Sequence, residues 1–158
     1  MLKRISSIGV GVLLLGGSAA MGGSLTDSIQ ASRMTVLEVQ KDTGRVFCHR
    51  EEVIQAVSLV LENAAESEEG RHGEVRIRAS ADRARVLLEI ADDGPGIDAL
   101  ARRRLFRPFW TTKPGHRGLG LYFARIIVER NDGGIEIGRG ESGGTVVRIA
   151  FPRIAEEG

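Results

Sequence analysis

The sequence predicts a single domain of the α+β class. Segments in which apolar and polar residues alternate, as in half-buried strands, are interleaved with two segments whose apolar residues recur every three or four positions, as in helices. A chain of 158 residues has the size of one domain. Two strand-like segments are separated only by a short turn, so part of the sheet is expected to be antiparallel.

Composition narrows the classes of function. Charged residues make up 27% of the chain and the net charge is +1, so no overall field favours nucleic acid or an anionic membrane. No nucleic-acid partner is therefore expected. The single cysteine, Cys48, excludes an internal disulfide and suits a reducing compartment. No cysteine and histidine cluster has the spacing of metal ligands.

The N-terminal segment raises a separate question. Lys3 and Arg4 make the start of the chain basic, and an uncharged run follows at 5–26. This arrangement resembles a signal peptide, and the uncharged run approaches the length of a membrane span. Its glycines and small polar residues argue against a span, and an N-terminal helix or a disordered lead is the alternative. We therefore treat residues 1–22 as an apolar segment of uncertain role, with membrane association possible through residues 5–22. The domain is expected at 23–154, with a tail at 155–158.

The first elements of the predicted domain are a helix and a hairpin. Leu25–Arg33 has helical spacing. Met34–Gln40 and Arg45–Cys48 are rich in β-branched residues and flank the turn residues at 41–44, so they predict a β-hairpin.

A helix is predicted from Glu51 to Ser67, because apolar residues recur there at three and four. Asn63 lies among these apolar positions. A buried amide is costly unless something polar lies against it, such as a hydrated metal ion or a phosphate. The alternative is a partly exposed Asn near the end of the helix.

Two strands follow, Val75–Ala79 and Val86–Ile90, which predict an antiparallel pair that brings Asp92 to the end of the sheet. A carboxylate beyond a buried strand must find a donor, and the exocyclic amino group of adenine is one. Gly94 and Gly96 then permit a backbone path that side chains would obstruct. An acidic turn without a ligand is the alternative.

A loop at 106–118, called the lid below, follows a short Arg-rich segment at 99–105. Its apolar residues Phe106, Phe109 and Trp110 are expected to anchor it over a pocket.

Helical spacing resumes at Leu119 and continues through Tyr122, Phe123, Ile126 and Arg130. Gly118 and Gly120 therefore stand where a helix begins. Free backbone N–H groups and the positive end of the helix dipole suit a phosphate, and Lys113 adds a mobile charge. A glycine-rich hinge that binds nothing is the alternative. Two further strands are predicted at 135–137 and 145–151, with a turn between them.

Four features follow one another along the chain: an Asn in a helix, Asp-x-Gly-x-Gly after a strand, a loop with aromatic residues, Thr and Lys, and Gly-x-Gly at the start of a helix. In this order they closely resemble the catalytic ATP-binding domain of sensor histidine kinases. That domain belongs to the ATPase superfamily shared with DNA gyrase, the ninety-kilodalton heat-shock chaperone and MutL. The resemblance covers roughly Leu25 to Pro152. It is most specific at 105–114 and 118–121, which look like the F and G2 boxes of nitrogen-regulation-type kinases.

The resemblance implies a fold and an adenine site. The fold is a two-layer α/β sandwich of the Bergerat type, with a mixed, mainly antiparallel sheet backed by helices. Residues 59–64 look like the N box and 92–96 like the G1 box. Asp92 would accept from adenine N6, Gly94 and Gly96 would let the backbone close on the nucleotide, and Thr145 would assist through water.

The resemblance also implies a phosphate site. Asn63 would ligate the Mg²⁺ that bridges the ATP phosphates. Gly118, Leu119 and Gly120 would shape the triphosphate site, and Lys113 would lie near the phosphates. Asn63 and Lys113 are thus the residues implied in catalysis, with ATP and Mg²⁺ as the nucleotide and metal.

The implied function is transfer of the γ-phosphoryl group to a histidine, followed by transfer to a response regulator, in the cytoplasm where ATP is present. Leu59 departs from the family, which carries a polar residue at that position, so self-catalysed hydrolysis is not expected. None of the three histidines, His49, His72 and His116, has the setting of a phosphoacceptor. The acceptor is therefore expected on a separate dimerisation domain or partner protein.

Two alternatives stay open. One is a non-catalytic nucleotide-binding or protein-interaction domain of the same fold, for which Leu59 is the argument. The other is a serine kinase that restrains a sigma factor. In the G2 box, His116 occupies a position where the family often has an additional glycine. We interpret it as a solvated lid residue rather than a phosphate contact.

Overall fold

The computed structural model describes residues 6–9, 34–39, 44–66, 74–141 and 143–154. The strands within these ranges are β1 Ser6–Gly9, β2 Met34–Val39, β3 Arg45–Cys48, β4 Glu74–Ala81, β5 Arg85–Asp92, β6 Gly134–Arg139 and β7 Thr145–Pro152. The helices are α1 Arg50–Ala65, α2 Ala99–Arg102 and α3 Gly120–Arg130.

The main sheet has five strands in the order β2-β4-β5-β7-β6. The β2 and β4 strands are parallel, and every other neighbouring pair is antiparallel. The predicted mixed, mainly antiparallel sheet is therefore confirmed. Because β5 and β7 are central neighbours, Asp92 at the end of β5 lies beside the start of β7.

The helices α1 and α3 form the second layer. They pack against each other, α1 also packs on β4 and β5, and α3 packs on β6. One hydrophobic core joins the buried sides of these elements, and its fully buried side chains include Ile77, Ile90 and Ile149. The α+β class and the two-layer arrangement are confirmed.

The predicted antiparallel pair of strands is also confirmed. Val75, Ile77 and Ala79 of β4 are buried and alternate with exposed Arg76 and Arg78. In the register of the sheet, Ile77 of β4 lies opposite Ile90 of β5, which is buried as well. The strand continues through Asp92, so the carboxylate belongs to the last residue of β5.

The predicted hairpin of Met34–Gln40 with Arg45–Cys48 is wrong. The β2 strand joins the edge of the main sheet in parallel to β4, whereas β3 pairs with β1 in a separate two-stranded sheet. Turn residues show where a chain reverses, but they do not choose the hydrogen-bonding partner of either strand. Here each strand pairs with a partner distant in sequence, β2 with β4 and β3 with β1.

The helix predicted from Glu51 to Ser67 is confirmed as α1. The helix predicted from Leu119 is confirmed as α3, but the residues that showed the helical spacing are not its buried ones. Leu121, Ala124, Ile127 and Val128 are buried, whereas Phe123 is exposed. Apolar residues lie on several sides of α3, so spacing alone did not select the side that meets the core.

The N-terminal residues are described only in part. Ser6–Gly9 form β1, which pairs antiparallel with β3. The sequence did not predict a strand in this segment. The rest of residues 1–22 and the predicted helix Leu25–Arg33 lie outside the described residues. Within the described part of the chain, no helix is both long and apolar enough to cross a membrane.

Candidate functional site

A cavity of about 520 Å³ opens between the helical layer, the end of β5 and the lid. Its walls come from α1, the loop after β5, the lid, the start of α3 and the first residue of β7. The predicted site residues that line it are Asn63, Asp92, Gly96, Lys113, Gly118, Leu119, Gly120 and Thr145. Gly94 does not line the cavity, but it bonds to a residue that does.

The carboxylate of Asp92 is held at one end of the cavity by two backbone donors. Its Oδ1 accepts from the N–H of Gly94 at 2.9 Å and from the N–H of Thr145 at 3.2 Å. Thr145 is itself buried. The turn after β5 and the start of β7 therefore fix the direction of this side chain, which pre-organises it for a ligand.

Two glycines allow the backbone to pass closely around the cavity. Gly96 has φ +78°, and a Cβ there would lie 2.6 Å from the carbonyl oxygen of Gly143. Gly118 has φ +66°, and its Cβ would lie 2.5 Å from the carbonyl oxygen of Trp110. A side chain at either position would be strained by φ and blocked by backbone atoms.

A cationic side chain lies against Asn63. The Nζ of Lys113 donates to the backbone oxygen of Asn63 at 3.2 Å and to its Oδ1 at 3.4 Å. The same ammonium lies 3.3 Å from Oε2 of Glu66. Asn63 is half-buried and lies near the end of α1, as the alternative interpretation expected, and its polar neighbour is positively charged.

The start of α3 forms another wall of the cavity. Leu119, the N-cap residue, makes no side-chain hydrogen bond to the first turn, and the first turn contains no acidic residue. The backbone N–H groups there keep the donor capacity and positive dipole end that suit an anion. Leu59 of α1 lies opposite, 3.9 Å from the position of a Cβ on Gly120.

The expected anchoring of the lid is confirmed for two aromatic residues and wrong for the third. Phe106 packs against the core, and the centroid of its ring lies 5.4 Å from Cζ of Arg125. Trp110 lines the cavity. Phe109 is 77% exposed and has φ +63°. This left-handed residue turns the chain, and its ring stays in solvent while Trp110 lines the cavity.

Sequence reasoning missed Glu66, which lines the cavity. Its carboxylate contacts Lys113, and it also lies 3.5 Å from Nδ1 of His116. His116 is partly exposed, as a lid residue was expected to be, yet it also lines the cavity. The spacing of three between Asn63 and Glu66, which puts both on one helix face, could have identified Glu66.

Comparison with known proteins gives one matching family, described as "Histidine kinase-, DNA gyrase B-, and HSP90-like ATPase", over residues 48–155. Sporulation kinase E of Bacillus subtilis is 30% identical over 167 residues, covering 96% of this chain and 22% of that protein. The C4-dicarboxylate transport sensor protein DctB of Rhizobium meliloti is 34% identical over 110 residues, covering 69% of this chain and 18% of that protein.

Solved structures show the same fold. The catalytic domain of histidine kinase ThkA matches with a TM-score of 0.78 at 23% identity, covering 96% of this chain and 97% of that one. The predicted nitrogen-regulation type of the F and G2 boxes stays a prediction. The chain spans only 12% to 22% of the length of the sensor kinases it matches here.

Proposed function

The chain belongs to the family of histidine kinase-, DNA gyrase B- and HSP90-like ATPases, and from this membership and its cavity we propose that it binds Mg-ATP and donates the γ-phosphoryl group to a histidine. The histidine lies on a separate dimerisation domain or partner protein, and a response regulator receives the phosphoryl group from it. The observation that carries the proposal is one cavity lined by Asp92, Asn63, Lys113 and the start of α3.

The adenine end of this proposed site is built around Asp92. Its carboxylate accepts the N6 amino group, and it is already oriented by the N–H groups of Gly94 and Thr145. A hydrogen bond to a charged acceptor contributes about 1.5–3 kcal/mol, enough to select adenine. Gly96 keeps the backbone close to the nucleotide, and Thr145 assists adenine binding through water.

The phosphate end combines fixed donors with a mobile charge. The N–H groups around Gly118, Leu119 and Gly120 bind phosphate oxygens, and Lys113 neutralises part of the charge from the lid. Phosphoryl transfer depends mainly on positioning and charge stabilisation, which these groups supply without a covalent intermediate.

The residues present fit a magnesium ion held largely by the nucleotide. Asn63 Oδ1 is an amide oxygen, and Mg²⁺ prefers oxygen ligands. The same atom already accepts a hydrogen bond from a cationic group, the ammonium of Lys113. Within the described ranges no group of three or more His, Cys, Asp or Glu could hold a metal ion. In this proposal Asn63 would be a protein ligand of the ion, and Mg²⁺ would supply charge neutralisation at the phosphates.

The remaining features of the proposal concern the whole protein. The ATP-binding domain extends over residues 23–154, followed by a tail at 155–158, and works in the cytoplasm. We propose membrane association through residues 5–22 as a second property of the N-terminal segment.

One observation favours a second function. Leu59 lies at the cavity wall facing α3, where it offers no polar atom to a metal, a phosphate or a water molecule. The second candidate is therefore a nucleotide-binding or protein-interaction domain that regulates a partner without transferring phosphate.

Calorimetric titration with Mg-ATP is the first test. We expect saturable binding of one nucleotide, and an absence of binding at millimolar nucleotide would remove the kinase proposal. Labelled phosphate is then followed from ATP to a supplied dimerisation domain that contains a histidine. Transfer supports the kinase, whereas binding without transfer favours the regulatory domain.

Asn63→Ala tests the metal assignment. The variant should lose mainly the Mg²⁺-dependent part of its ATP affinity, because the amide oxygen is the proposed ligand. The comparison is between titrations with Mg²⁺ and with EDTA. A variant whose affinity responds to metal as strongly as that of the original chain contradicts the assignment.

A further inference from the structure

We infer that Glu66 is a positioning residue that holds Lys113 away from the phosphates until a nucleotide recruits it; the inference rests on the proposed function. Two lid side chains, an ammonium and an imidazole, converge on this one carboxylate. Its Oε2 lies 3.3 Å from Nζ of Lys113 and 3.5 Å from Nδ1 of His116. The contacts between Glu66 and these two lid residues are called the latch below.

The end of α1 explains why the latch forms. The last turn of α1 contains no basic residue, so its carbonyl oxygens lack a local counter-charge. Lys113 supplies that charge from the lid by donating to the backbone oxygen of Asn63. Within the lid, the backbone N–H of Lys113 donates to Oγ1 of Thr111, and the backbone N–H of His116 donates to the backbone oxygen of Lys113. These two bonds shape the turn that presents the side chains of Lys113 and His116.

The latch places the ammonium in competition with the nucleotide. Lys113 donates to Oδ1 of Asn63, the proposed metal ligand, at 3.4 Å. The ammonium must therefore leave Asn63 and Glu66 before it can pair with a phosphate and before Asn63 can bind metal. Binding of a nucleotide whose phosphates recruit Lys113 is weakened by the free energy needed to break these contacts. Binding of a nucleotide too short to reach Lys113 is not weakened in this way.

The expected size of the effect is modest. The side chain of Glu66 is 45% exposed and that of Lys113 is 28% exposed, so solvent screens their attraction. Exposed ion pairs contribute about 0.2–1 kcal/mol, which corresponds to roughly a 1.4- to fivefold change in an equilibrium constant.

The first measurement is made without nucleotide. Trypsin cleaves after Arg117, which is exposed in the lid beside the latch. In Glu66→Gln we expect cleavage at this bond to accelerate by up to about fivefold, the factor set by an exposed ion pair. Fragments are identified by mass spectrometry, and equal melting temperatures exclude global destabilisation. Unchanged cleavage at this bond overturns the latch.

Glu62→Gln is the matched control. Glu62 belongs to the same helix and lines the same cavity, but its carboxylate takes no part in the latch. The control removes the same charge from the cavity and should leave cleavage after Arg117 unchanged. Equal acceleration in both variants overturns the specific role of Glu66.

The second measurement is a double-mutant cycle of nucleotide affinity. Glu66→Gln should tighten Mg-ATP binding by up to about fivefold in the original chain and less in a Lys113→Met background. AMP affinity should stay the same. An equal gain in both backgrounds means that Glu66 only repels phosphate directly, and this result overturns the inference.

The two measurements separate the inference from the proposed function. If cleavage after Arg117 accelerates while no variant binds Mg-ATP, the latch stands but its role in nucleotide binding is overturned along with the proposed function. If Mg-ATP binds but Glu66→Gln changes neither cleavage nor affinity, the proposed function stands and the latch is overturned.

Discussion

Asp92 shows how one side chain can be fixed before its ligand arrives. One carboxylate oxygen accepts two backbone N–H groups, from Gly94 and Thr145, that come from different parts of the chain. The sequence placed the residue correctly at the end of a buried strand. It did not reveal the bond from Thr145, because that bond depends on the pairing of β5 with β7.

Asp92→Asn should weaken ATP binding by about tenfold or more, because the charged acceptor for the adenine amino group is lost. The variant should stay folded, since an amide oxygen can still accept from Gly94 and Thr145. Calorimetry gives the affinity and circular dichroism gives the melting temperature. Asp93→Asn is the matched control, because Asp93 does not line the cavity; unchanged ATP affinity in Asp92→Asn contradicts the adenine assignment.

Gly118→Ala should lower both stability and ATP affinity. The residue has φ +66°, and the new Cβ would meet the backbone of Trp110 at 2.5 Å, so the lid must shift. A strained φ of this kind costs about 1–3 kcal/mol. Urea unfolding and calorimetry give the two quantities.

Gly115→Ala is the control for this prediction. Gly115 has φ +78°, but nothing lies within 4 Å of the position of its Cβ. Its substitution includes the strain without the clash. If both variants lose the same stability and the same affinity, contact with Trp110 is not the cause.

At the scale of elements, Asn131 ties the far end of α3 to the start of α1. Its side chain is buried, its Oδ1 accepts from the N–H of His49 at 2.7 Å, and its Nδ2 donates to Glu52 at 3.1 Å and to the oxygen of Ile127 at 2.9 Å. The other ends of both helices form the cavity. This amide therefore helps to set the alignment of the helices that line it.

Asn131→Ala should destabilise the domain by about 1–3 kcal/mol, because a partly buried N–H and a buried carbonyl lose their partners. Urea unfolding measures the loss. Arg130→Ala is the control, since Arg130 lies 3.5 Å from the same Glu52 but is largely exposed, and its loss should cost at most about 1 kcal/mol. Equal losses would assign the effect to the Glu52 ion pair instead.

The elements also show where sequence patterns stop being informative. Alternation identified β4 and β5, since buried residues alternate with exposed ones in β4 and with half-buried ones in β5. Residues 34–40 and 45–48 were recognised as strands but given the wrong partner. The α3 helix was recognised from residues that are not its buried ones, because its apolar residues do not lie on one face only.

At the scale of the whole molecule, the cavity is assembled from both layers and from the lid. A ligand there would touch α1, the end of β5, the start of α3 and the start of β7 together. Such a ligand binds the folded chain and not the unfolded one. It should therefore stabilise the domain as a unit.

Mg-ATP should accordingly raise the melting temperature in a concentration-dependent way. At a free concentration of 100 times Kd, the expected stabilisation is about 2.7 kcal/mol. Scanning calorimetry at increasing Mg-ATP measures it, and Asp92→Asn should need proportionally more nucleotide for the same shift. A melting temperature that does not respond to Mg-ATP contradicts binding in the folded cavity.

The sequence alone determined the α+β class, most strands and helices, and many of the residues around the cavity, because alternation, helical spacing and glycine at tight turns are local properties. Only the tertiary structure decided the partners of β2 and β3, the buried side of α3, the exposure of Phe109 and the contact of Glu66 with Lys113. These depend on which distant surfaces meet, and the free energy of such contacts is not encoded in any one segment.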